Sequence, residues 1–512
     1  MAVLSLLVSV YYNVIVSWVL VFIVSIFMGQ SRQWALCGNA WNDQNCLSSL
    51  GNKECAESLN DLEAFWFNGT CHNSSAFKEL QQFMVNNQSA TTQFFENWIL
   101  QKSDRIENLD GINWPVFGAL IFVWILTALA LSKGVKLIGK LAYFTATIPY
   151  IIIAILFVRS VTLPGAKQGL DFYLLKIDIS KIYDIQPWQK AATQVCYSLA
   201  IGFGGLLSLA SYNPRSHNCF RDALIITVAD GFMSVFGGTA VFSILGFMAE
   251  QQKKDITQVV QSGTGLAFIA YPEAMNQIPY VPWLWAFLFF FMLFILGGFK
   301  GGGLFFLQDP ENQDAPATQS ASLALCVLVF LELILVCYVY GIRNYIKDLH
   351  SMFGYPTTLF GKIFGKTGWY FIIIWSIVAP ICILILLGYM IHELIETPLK
   401  YGSYEFPGPS MISAWILSLL PLLALPVVLI ANCIHFRAIK KPLKELAIVR
   451  EDWALSAHDP KSSTSSSDLE DPQTSPTTTS NVYKIRPIEI SPSTLSDAWH
   501  SSTVTARPGK SH

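Results

Sequence analysis

The chain has 512 residues, of which 53% are hydrophobic and 13% charged, with a formal net charge of −2 and a mean hydropathy of +0.44. Soluble globular domains carry about 25% charged residues, so the composition excludes an ordinary soluble, a disordered or a collagen-like chain. A net charge this close to zero gives no reason to expect a nucleic-acid partner. The composition is that of a membrane protein surrounded by lipid.

Nine apolar segments are long enough to cross a bilayer, whose core of about 30 Å requires about 20 mostly apolar residues per helical crossing. Lipid offers no partners to backbone groups, so each segment must be helical. The sequence therefore predicts an all-α polytopic membrane protein with one bundle over residues 1–453. The segments are 3–28, 114–132, 141–159, 190–212, 223–249, 281–298, 321–341, 369–392 and 411–435.

The sidedness of the bundle follows from basic residues in short loops, because these favour the cytoplasm. The loop 132–140 carries three lysines and the loop 213–222 carries two arginines. Both loops are therefore predicted to be cytoplasmic, which places residues 29–113 outside. That segment contains four cysteines and three N-x-S/T sequons, at Asn68, Asn73 and Asn87, so we expect it to be glycosylated and oxidised.

With nine crossings, the basic segments in the second half of the chain would lie on the wrong side of the membrane. After six crossings from a cytoplasmic Met1, the seventh segment would place the basic loop 342–368 outside, and the stretch after residue 435 would also be external. Both lie inside only if one more helix crosses between about 298 and 321, where the sequence has too few apolar residues. We infer that a helix is missing there. Residues 454–512 are rich in Ser, Thr and Pro and are predicted to form a disordered cytoplasmic tail.

The fourth segment contains SLAIGFGG at mid-membrane depth. Its glycines fit two interpretations: close helix packing, or an unwound helix whose freed backbone groups line a polar cavity. Gln194 and Ser198 stand four residues apart just before the glycines, so they share a helix face.

The fifth segment contains Asp230, with Ser234 one turn later. A charged side chain at this depth costs about 2.5–3.5 kcal/mol on insertion scales, so it marks a candidate site with a partner. A cation is the expected partner, and a protonated, packed carboxyl is the alternative.

Enzyme motifs are weak in this sequence. His217 to Asp222 matches an H-x4-D acyltransferase pattern, and residues 361–367 fall one residue short of a P-loop and follow no strand. We therefore expect no covalent chemistry, and a membrane acyltransferase that uses His217 is the least favoured hypothesis.

Long blocks of the sequence resemble successive blocks of the neurotransmitter:sodium symporter family (solute carrier 6), among them VSVYYNVIVSW, TQVCYSLAIGFGGLLSLASYN and GTGLAFIAYPEAMNQIP. The similarity runs from residue 1 to about 298 and resumes at CYVYGIRNYIKDLHSMFG up to about 453. Asp230, HNCFRDALIIT and LAFIAYPEAM look most like the nutrient amino acid transporter branch. The resemblance implies a LeuT-like bundle of two inverted repeats. In this chain the bundle would lack its first two helices and most of the eighth-to-ninth helix region.

The resemblance also assigns roles to individual residues. It implies substrate contacts by Val8, Tyr12, Tyr197 and Phe203, a first sodium site at Ser198 and Asp230, a chloride-like site at Gln194, Ser198 and Ser234, a cytoplasmic gate at Tyr212, and a disulfide between Cys37 and Cys46. Cys55 and Cys71 are candidates for a second disulfide.

The implied function is sodium-coupled symport of amino acids, of the neutral class, across the plasma membrane by alternating access, with Na⁺ co-transported. Most of the family has Asn where Asp230 stands, so weak or absent chloride dependence is expected. Phe299 and Lys300 occupy the place of a polar pair that binds a second sodium in the family, which argues against uptake by this chain alone. The alternative is a truncated, non-transporting member that binds or regulates full-length partners. A homo-oligomer is left open.

Overall fold

The computed structural model describes most of the chain before residue 442. The described residues are 1–61, 63–67, 69–73, 75, 88–103, 111–214, 217–259, 265–300, 316–396, 400–401, 404–405, 407–440 and 442. Asn68, Asn87, most of the segment 298–321 and the tail 454–512 lie outside them. Helices account for nearly all the regular structure of the described residues, which confirms the all-α class.

The α-helices in the described part of the chain are joined by connections of very different length. The first half contains α1 (Ala2–Phe27), α2 (Ser49–Leu59), α3 (Ala90–Gln93), α4 (Trp114–Leu131), α5 (Val135–Val161), α6 (Ala166–Leu174), α7 (Ile185–Ser198), α8 (Gly205–Ala210) and α9 (Cys219–Gln252). The second half contains α10 (Ile256–Val259), α11 (Tyr271–Gln277), α12 (Pro282–Lys300), α13 (Pro316–Ile334), α14 (Ile342–Phe353), α15 (Leu359–Phe364), α16 (Trp369–Ile373), α17 (Ala379–Glu396) and α18 (Gly408–Ala438).

Among the described residues, four segments adopt the wider π-helical form and two the tighter 3₁₀ form. The π-helical segments are Phe94–Leu100, Leu266–Ala270, Leu335–Val339 and Ile374–Val378, and the 3₁₀ segments are Gln33–Ala35 and Ile179–Tyr183. Each π-helical segment continues or precedes an α-helix, as expected for local bulges in longer helices.

Seven helical stretches of the described residues are long and apolar enough to cross a membrane, and Pro282–Gly297 is a shorter apolar helix. The seven are Ala2–Phe27, Trp114–Leu131, Leu137–Val161, Cys219–Gln252, Ser322–Val339, Leu359–Glu393 and Leu419–Ala438. Together with the shorter helix they correspond to eight of the nine predicted segments. The remaining segment, 190–212, is divided between α7 and α8.

The two loops predicted to be cytoplasmic are shorter than the sequence predicts. The loop predicted at 132–140 is reduced to residues 132–134, because α5 already begins at Val135 after Gly134, whose φ is +61°. The loop predicted at 213–222 ends at Asn218, whose side chain caps α9 by accepting a hydrogen bond from the Arg221 backbone N–H at 3.3 Å. A helix that extends beyond the lipid no longer needs apolar residues, so hydropathy underestimates its length.

The main core lies around α1, whose Phe22 is fully buried. The Phe22 ring stacks on Phe290 of α12 with ring centroids 4.4 Å apart, and contacts Trp34 and Phe94 at 5.1 and 5.4 Å. Aromatic pairs of this kind contribute about 0.5–1.5 kcal/mol beyond the burial of their area. The segments that carry Trp34 and Phe94 are thereby held against one end of the bundle.

Glycines bring α6 against α9. A Cβ added to Gly169 would lie 1.9 Å from the carbonyl oxygen of Phe242, and one added to Gly246 would lie 2.5 Å from the carbonyl oxygen of Gly165. Backbones can approach this closely only where side chains are absent. The contact fixes α6 on the helix that carries Asp230.

Two disulfides stabilise the segment between α1 and α4. Cys37 pairs with Cys46, as the resemblance implies, and Cys55 pairs with Cys71, as proposed from the four clustered cysteines. The described residues form three two-stranded sheets. Strand β1 (Cys46–Leu47) pairs in parallel with β4 (Gln88–Ser89), while β2 (Phe65–Phe67) with β3 (Thr70–His72) and β5 (Lys400–Tyr401) with β6 (Tyr404–Glu405) are antiparallel. Asn73 is exposed, as an acceptor for a glycan must be.

Candidate ion and substrate site

The fourth predicted segment is interrupted at its centre. Helix α7 ends at Ser198 and α8 begins at Gly205, and between them Ala200, Gly202 and Gly204 have φ values of +51°, +80° and +80°. These left-handed conformations are those that glycine adopts at no steric cost. The structure thus confirms the unwound helix and disfavours packing as the main role of these glycines. Irregular backbone at membrane depth is tolerated where it lines a cavity or lies inside protein.

Close contact with α13 adds a second reason for glycine at one position of the break. A Cβ added to Gly202 would lie 2.9 Å from side-chain carbons of both Leu325 and Val329. The break is therefore packed directly against α13.

A serine of α1 also contacts the break. The hydroxyl of Ser5 donates to the carbonyl oxygen of Phe203 at 2.9 Å. Sequence reasoning missed this residue, although its spacing could have identified it: Ser5, Val8 and Tyr12 are three and four residues apart, which places them on one helix face.

Ser198 and Asp230 come together where α7 ends. The Ser198 hydroxyl donates to Oδ1 of Asp230, and both residues are half-buried. The predicted pair of sodium ligands is thus in direct contact beside the unwound backbone. Carboxylate, hydroxyl and freed carbonyl oxygens are the groups that bind Na⁺ at broken membrane helices.

The chloride-like set is only partly assembled. Ser234 lies one turn after Asp230 on α9, and its hydroxyl donates to the Asp230 backbone carbonyl at 2.9 Å. Gln194 lies one turn before Ser198 on α7 and is half-buried. The described hydrogen bonds link Ser198 and Ser234 to Asp230 but do not include the side chain of Gln194.

The four residues assigned to the substrate lie in one cluster. Tyr12 and Tyr197 are among its buried members, and Val8 and Phe203 pack against it. The rings of Tyr197 and Phe203 flank the break with centroids 5.6 Å apart and planes tilted by 49°. The Tyr197 hydroxyl is 3.5 Å from that of Ser322 on α13, and no local sequence pattern indicates this contact.

Tyr12 reaches toward α12. Its hydroxyl oxygen would lie 3.0 Å from a Cβ added to Gly297, and Tyr12 itself is 4% exposed. A phenol in this position lies between two helices rather than at a lipid interface. This agrees with the interpretation of Tyr12 as a residue of the site and not of an interfacial belt.

Tyr212 stands apart from these residues. It follows the end of α8 and is 66% exposed, so the described structure does not bring it to the Ser198–Asp230 pair. Near it in sequence, His217 Nε2 lies 2.5 Å from Oδ2 of Asp222, so the H-x4-D pattern corresponds to a local His–Asp hydrogen bond at the start of α9. Asn218 also accepts a hydrogen bond from Lys366 at 3.2 Å.

Comparisons with known proteins agree with this geometry. The family model described as the Sodium:neurotransmitter symporter family matches residues 1–300 and 314–436. The sodium-dependent transporter snf-5 of Caenorhabditis elegans is 33% identical over 84% of this chain and 65% of its own length. The sodium- and chloride-dependent glycine transporter 2 of Xenopus laevis is 30% identical over 84% of this chain and 58% of its own.

The sodium- and chloride-dependent creatine transporter 1 of Bos taurus is 33% identical over 82% of this chain and 68% of its own length. The chain thus spans less than two thirds of the first two relatives. All three are named as transporters and none as an enzyme. With its broken helix, its half-buried carboxylate beside the break and a family match over most of its length, the chain belongs to the sodium:neurotransmitter symporter family.

Proposed function

We propose that this chain functions in sodium-coupled symport of neutral amino acids across the plasma membrane by alternating access. The observation that carries the proposal is the contact between Ser198 and Asp230 beside the unwound backbone after α7. The ion moves with the substrate, so Na⁺ is cargo as well as ligand.

Electrostatics favour a cation at this contact. A charged carboxyl within the membrane costs about 2.5–3.5 kcal/mol on insertion scales unless a partner neutralises it. None of the ion pairs in the described part of the chain includes Asp230. A bound Na⁺ would supply the missing positive charge, and the carbonyl groups of the break would complete its oxygen ligands.

The neighbouring cluster supports a substrate with a carboxylate and an uncharged side chain. Tyr12 offers a phenol that can donate to a carboxylate, and Val8, Tyr197 and Phe203 provide apolar and aromatic surface. Two relatives are named for glycine and creatine, which both carry a carboxylate. An apolar lining disfavours a charged side chain because its desolvation would not be compensated.

Sodium-dependent binding to the purified full chain tests the proposal. We would reconstitute the protein in lipid nanodiscs and measure binding of tritiated neutral amino acids in sodium chloride and in choline chloride. Coupling between two sites is typically about 1–3 kcal/mol, so sodium should raise the affinity by about 5- to 150-fold. Asp230→Ala should abolish the sodium effect. Asp222→Ala, which removes a carboxylate from the first turn of the same helix, should retain it.

Uptake into proteoliposomes under a sodium gradient then separates the two functions. Sodium-driven accumulation supports symport, whereas sodium-dependent binding without accumulation would favour the non-transporting alternative. The proposal fails if binding is insensitive to sodium, or if Asp230→Ala and Asp222→Ala behave alike.

A further inference from the structure

Glu273 of α11 connects three separate parts of the chain. Its Oε1 accepts a hydrogen bond from the Ser49 hydroxyl, and its Oε2 accepts one from the Thr91 hydroxyl at 3.3 Å. The side-chain amide of Gln252 lies 3.5 Å from Oε1 and also donates. Glu273 lies between the candidate span Cys219–Gln252 and the shorter apolar helix Pro282–Gly297 and belongs to neither.

The three partners belong to segments that the sequence places outside the cell. Ser49 is the first residue of α2 and follows the Cys37–Cys46 disulfide by three residues. Thr91 lies in α3, directly after the strand β4 that pairs with β1. Gln252 is the last residue of α9, the helix that carries Asp230. One carboxyl group therefore joins the disulfide-bonded segment to the outer end of the ion-site helix.

The carboxyl lies in a largely apolar setting. Its neighbours Tyr271, Ala274 and Met275 on α11 are buried in the main core. Burial raises the pKa of Glu273 above its ordinary value, and this effect exceeds the opposing influence of the two hydroxyl hydrogen bonds and of the Lys254 charge.

Lys254 is exposed and lies just beyond α9. The other charged groups on the packed elements are Arg32, which forms an ion pair with Glu54 at 2.5 Å, and Glu96, which pairs with Lys102 at 3.0 Å. The remaining ones are the exposed side chains of Lys53, Glu57, Glu250 and Lys253. Lys254 alone among these attracts the carboxylate enough to affect its pKa.

We propose that Glu273 is an external proton-binding site that controls how firmly the segments 46–59 and 88–100 are held against α11 and the end of α9. The Ser49 and Thr91 hydroxyls can donate or accept, as can the Gln252 amide group, so the cluster accommodates both the carboxylate and the carboxylic acid. The neutral acid fits the apolar setting at low cost. The carboxylate places a charge there that the single exposed lysine does not neutralise, and it weakens the contact.

The sign of the pH dependence follows from linkage. We call the state closed when the segments 46–59 and 88–100 contact α11, and open when they do not. A carboxyl group whose pKa is higher in the closed state than in the open state stabilises the closed state when it is protonated. The stabilisation is complete below the ordinary pKa of a glutamate and is lost as the pH rises through the raised value. External acidification should therefore tighten this contact, and alkaline conditions should loosen it.

Hydrogen–deuterium exchange on the full chain in nanodiscs measures the contact directly. Between pH 5 and 8.5, after correction for the intrinsic exchange rate, amide protection in 46–59 and 266–277 should fall as the pH rises. Each pKa unit of difference between the closed and open states corresponds to about 10-fold in protection. Glu273→Gln should keep the protection of the acidic state at every pH, whereas Glu54→Gln should follow the wild-type profile.

A second variant keeps the test decisive if Glu273→Gln does not fold. Ser49→Ala removes a donor that favours the charged form, so it should move the midpoint of the profile to higher pH by about one unit. A merely structural serine would lower protection without moving the midpoint. The proposal is overturned if wild-type protection does not change with pH, if Glu273→Gln retains the wild-type profile, or if Ser49→Ala leaves the midpoint in place. The measurement needs no transport, so its outcome does not depend on the symport proposal.

Discussion

Asp230 places a fixed negative charge where the resemblance implies a chloride-like site. Its carboxylate accepts a hydrogen bond from Ser198, and its backbone carbonyl accepts one from Ser234. Two like charges about 4 Å apart repel by about 4 kcal/mol at an effective dielectric constant of 20. A chloride ion beside these serines would meet that repulsion, so we propose that the Asp230 carboxylate, rather than chloride, balances the charge of a bound sodium ion.

On this proposal the wild type binds its substrate without chloride, and Asp230→Asn should make that binding chloride-dependent. Sodium-dependent amino-acid binding would be compared in sodium chloride and sodium gluconate, and we expect at least about a 10-fold preference for chloride in the variant, within the usual range of site coupling. Asp222→Asn makes the same chemical change elsewhere on α9, and amino-acid binding by this variant should be equal in sodium chloride and sodium gluconate. A wild type that already stops binding in gluconate would contradict the argument.

Single residues of the site differ in how far sequence alone could identify them. Asp230 and Ser198 were predictable because a carboxylate and a glycine-rich break are unusual at membrane depth. Ser5 and Ser322 were not identified, because a hydroxyl on a membrane helix often bonds its own backbone. Only packing decides that Ser5 reaches the Phe203 carbonyl and that Ser322 lies near Tyr197.

Among the helices, glycine serves two different purposes that composition cannot separate. Gly202 and Gly204 adopt positive φ values and interrupt a helix, whereas Gly169 and Gly246 remain within helices and allow two backbones to touch. The sequence offered both interpretations for the fourth segment, and the dihedral angles distinguish them. Composition also underestimates the lengths of α5 and α9, because helical turns that extend beyond the lipid are polar and are not detected by hydropathy.

Gly169→Ala should separate α6 from α9. The added Cβ would lie 1.9 Å from the Phe242 carbonyl oxygen and 2.8 Å from its carbonyl carbon, and backbone atoms cannot move aside as a flexible side chain can. Overpacking of this kind typically costs about 1–3 kcal/mol. Thermal unfolding of the purified protein in detergent should show a lower midpoint.

Gly118→Ala is the matched control for that substitution. Gly118 lies within α4, and a Cβ there would meet no atom within 4 Å. Alanine favours helix over glycine by up to about 1 kcal/mol, so this variant should unfold at the same temperature as the wild type or above it. Equal losses in the two variants would show that the α6–α9 contact is not tightly packed.

Over the whole molecule, charge and glycosylation signals give the same orientation. The segment between α1 and α4 contains two disulfides and the exposed sequon residue Asn73, which are features of an oxidising compartment. Cys219, the first residue of α9, is a free and exposed thiol beside Arg221 in the loop predicted to be cytoplasmic. The additional crossing that the basic loops require between α12 and α13 stays a prediction, because residues 301–315 lie outside the described part of the chain.

Asn73 and Cys219 should therefore lie on opposite sides of the membrane. Glycosidase treatment of protein from intact cells should increase its electrophoretic mobility, and Asn73→Gln should remove part of that change. A membrane-impermeant maleimide should label Cys219 only after the cells are permeabilised, and Cys219→Ser identifies the signal that belongs to this thiol. The orientation predicted here places Cys219 inside, because positive charges resist transfer to the outside. Labelling of Cys219 in intact cells would contradict that orientation. It would also remove the reason for expecting an additional helix between α12 and α13, because that expectation depends on the side to which each basic loop is assigned.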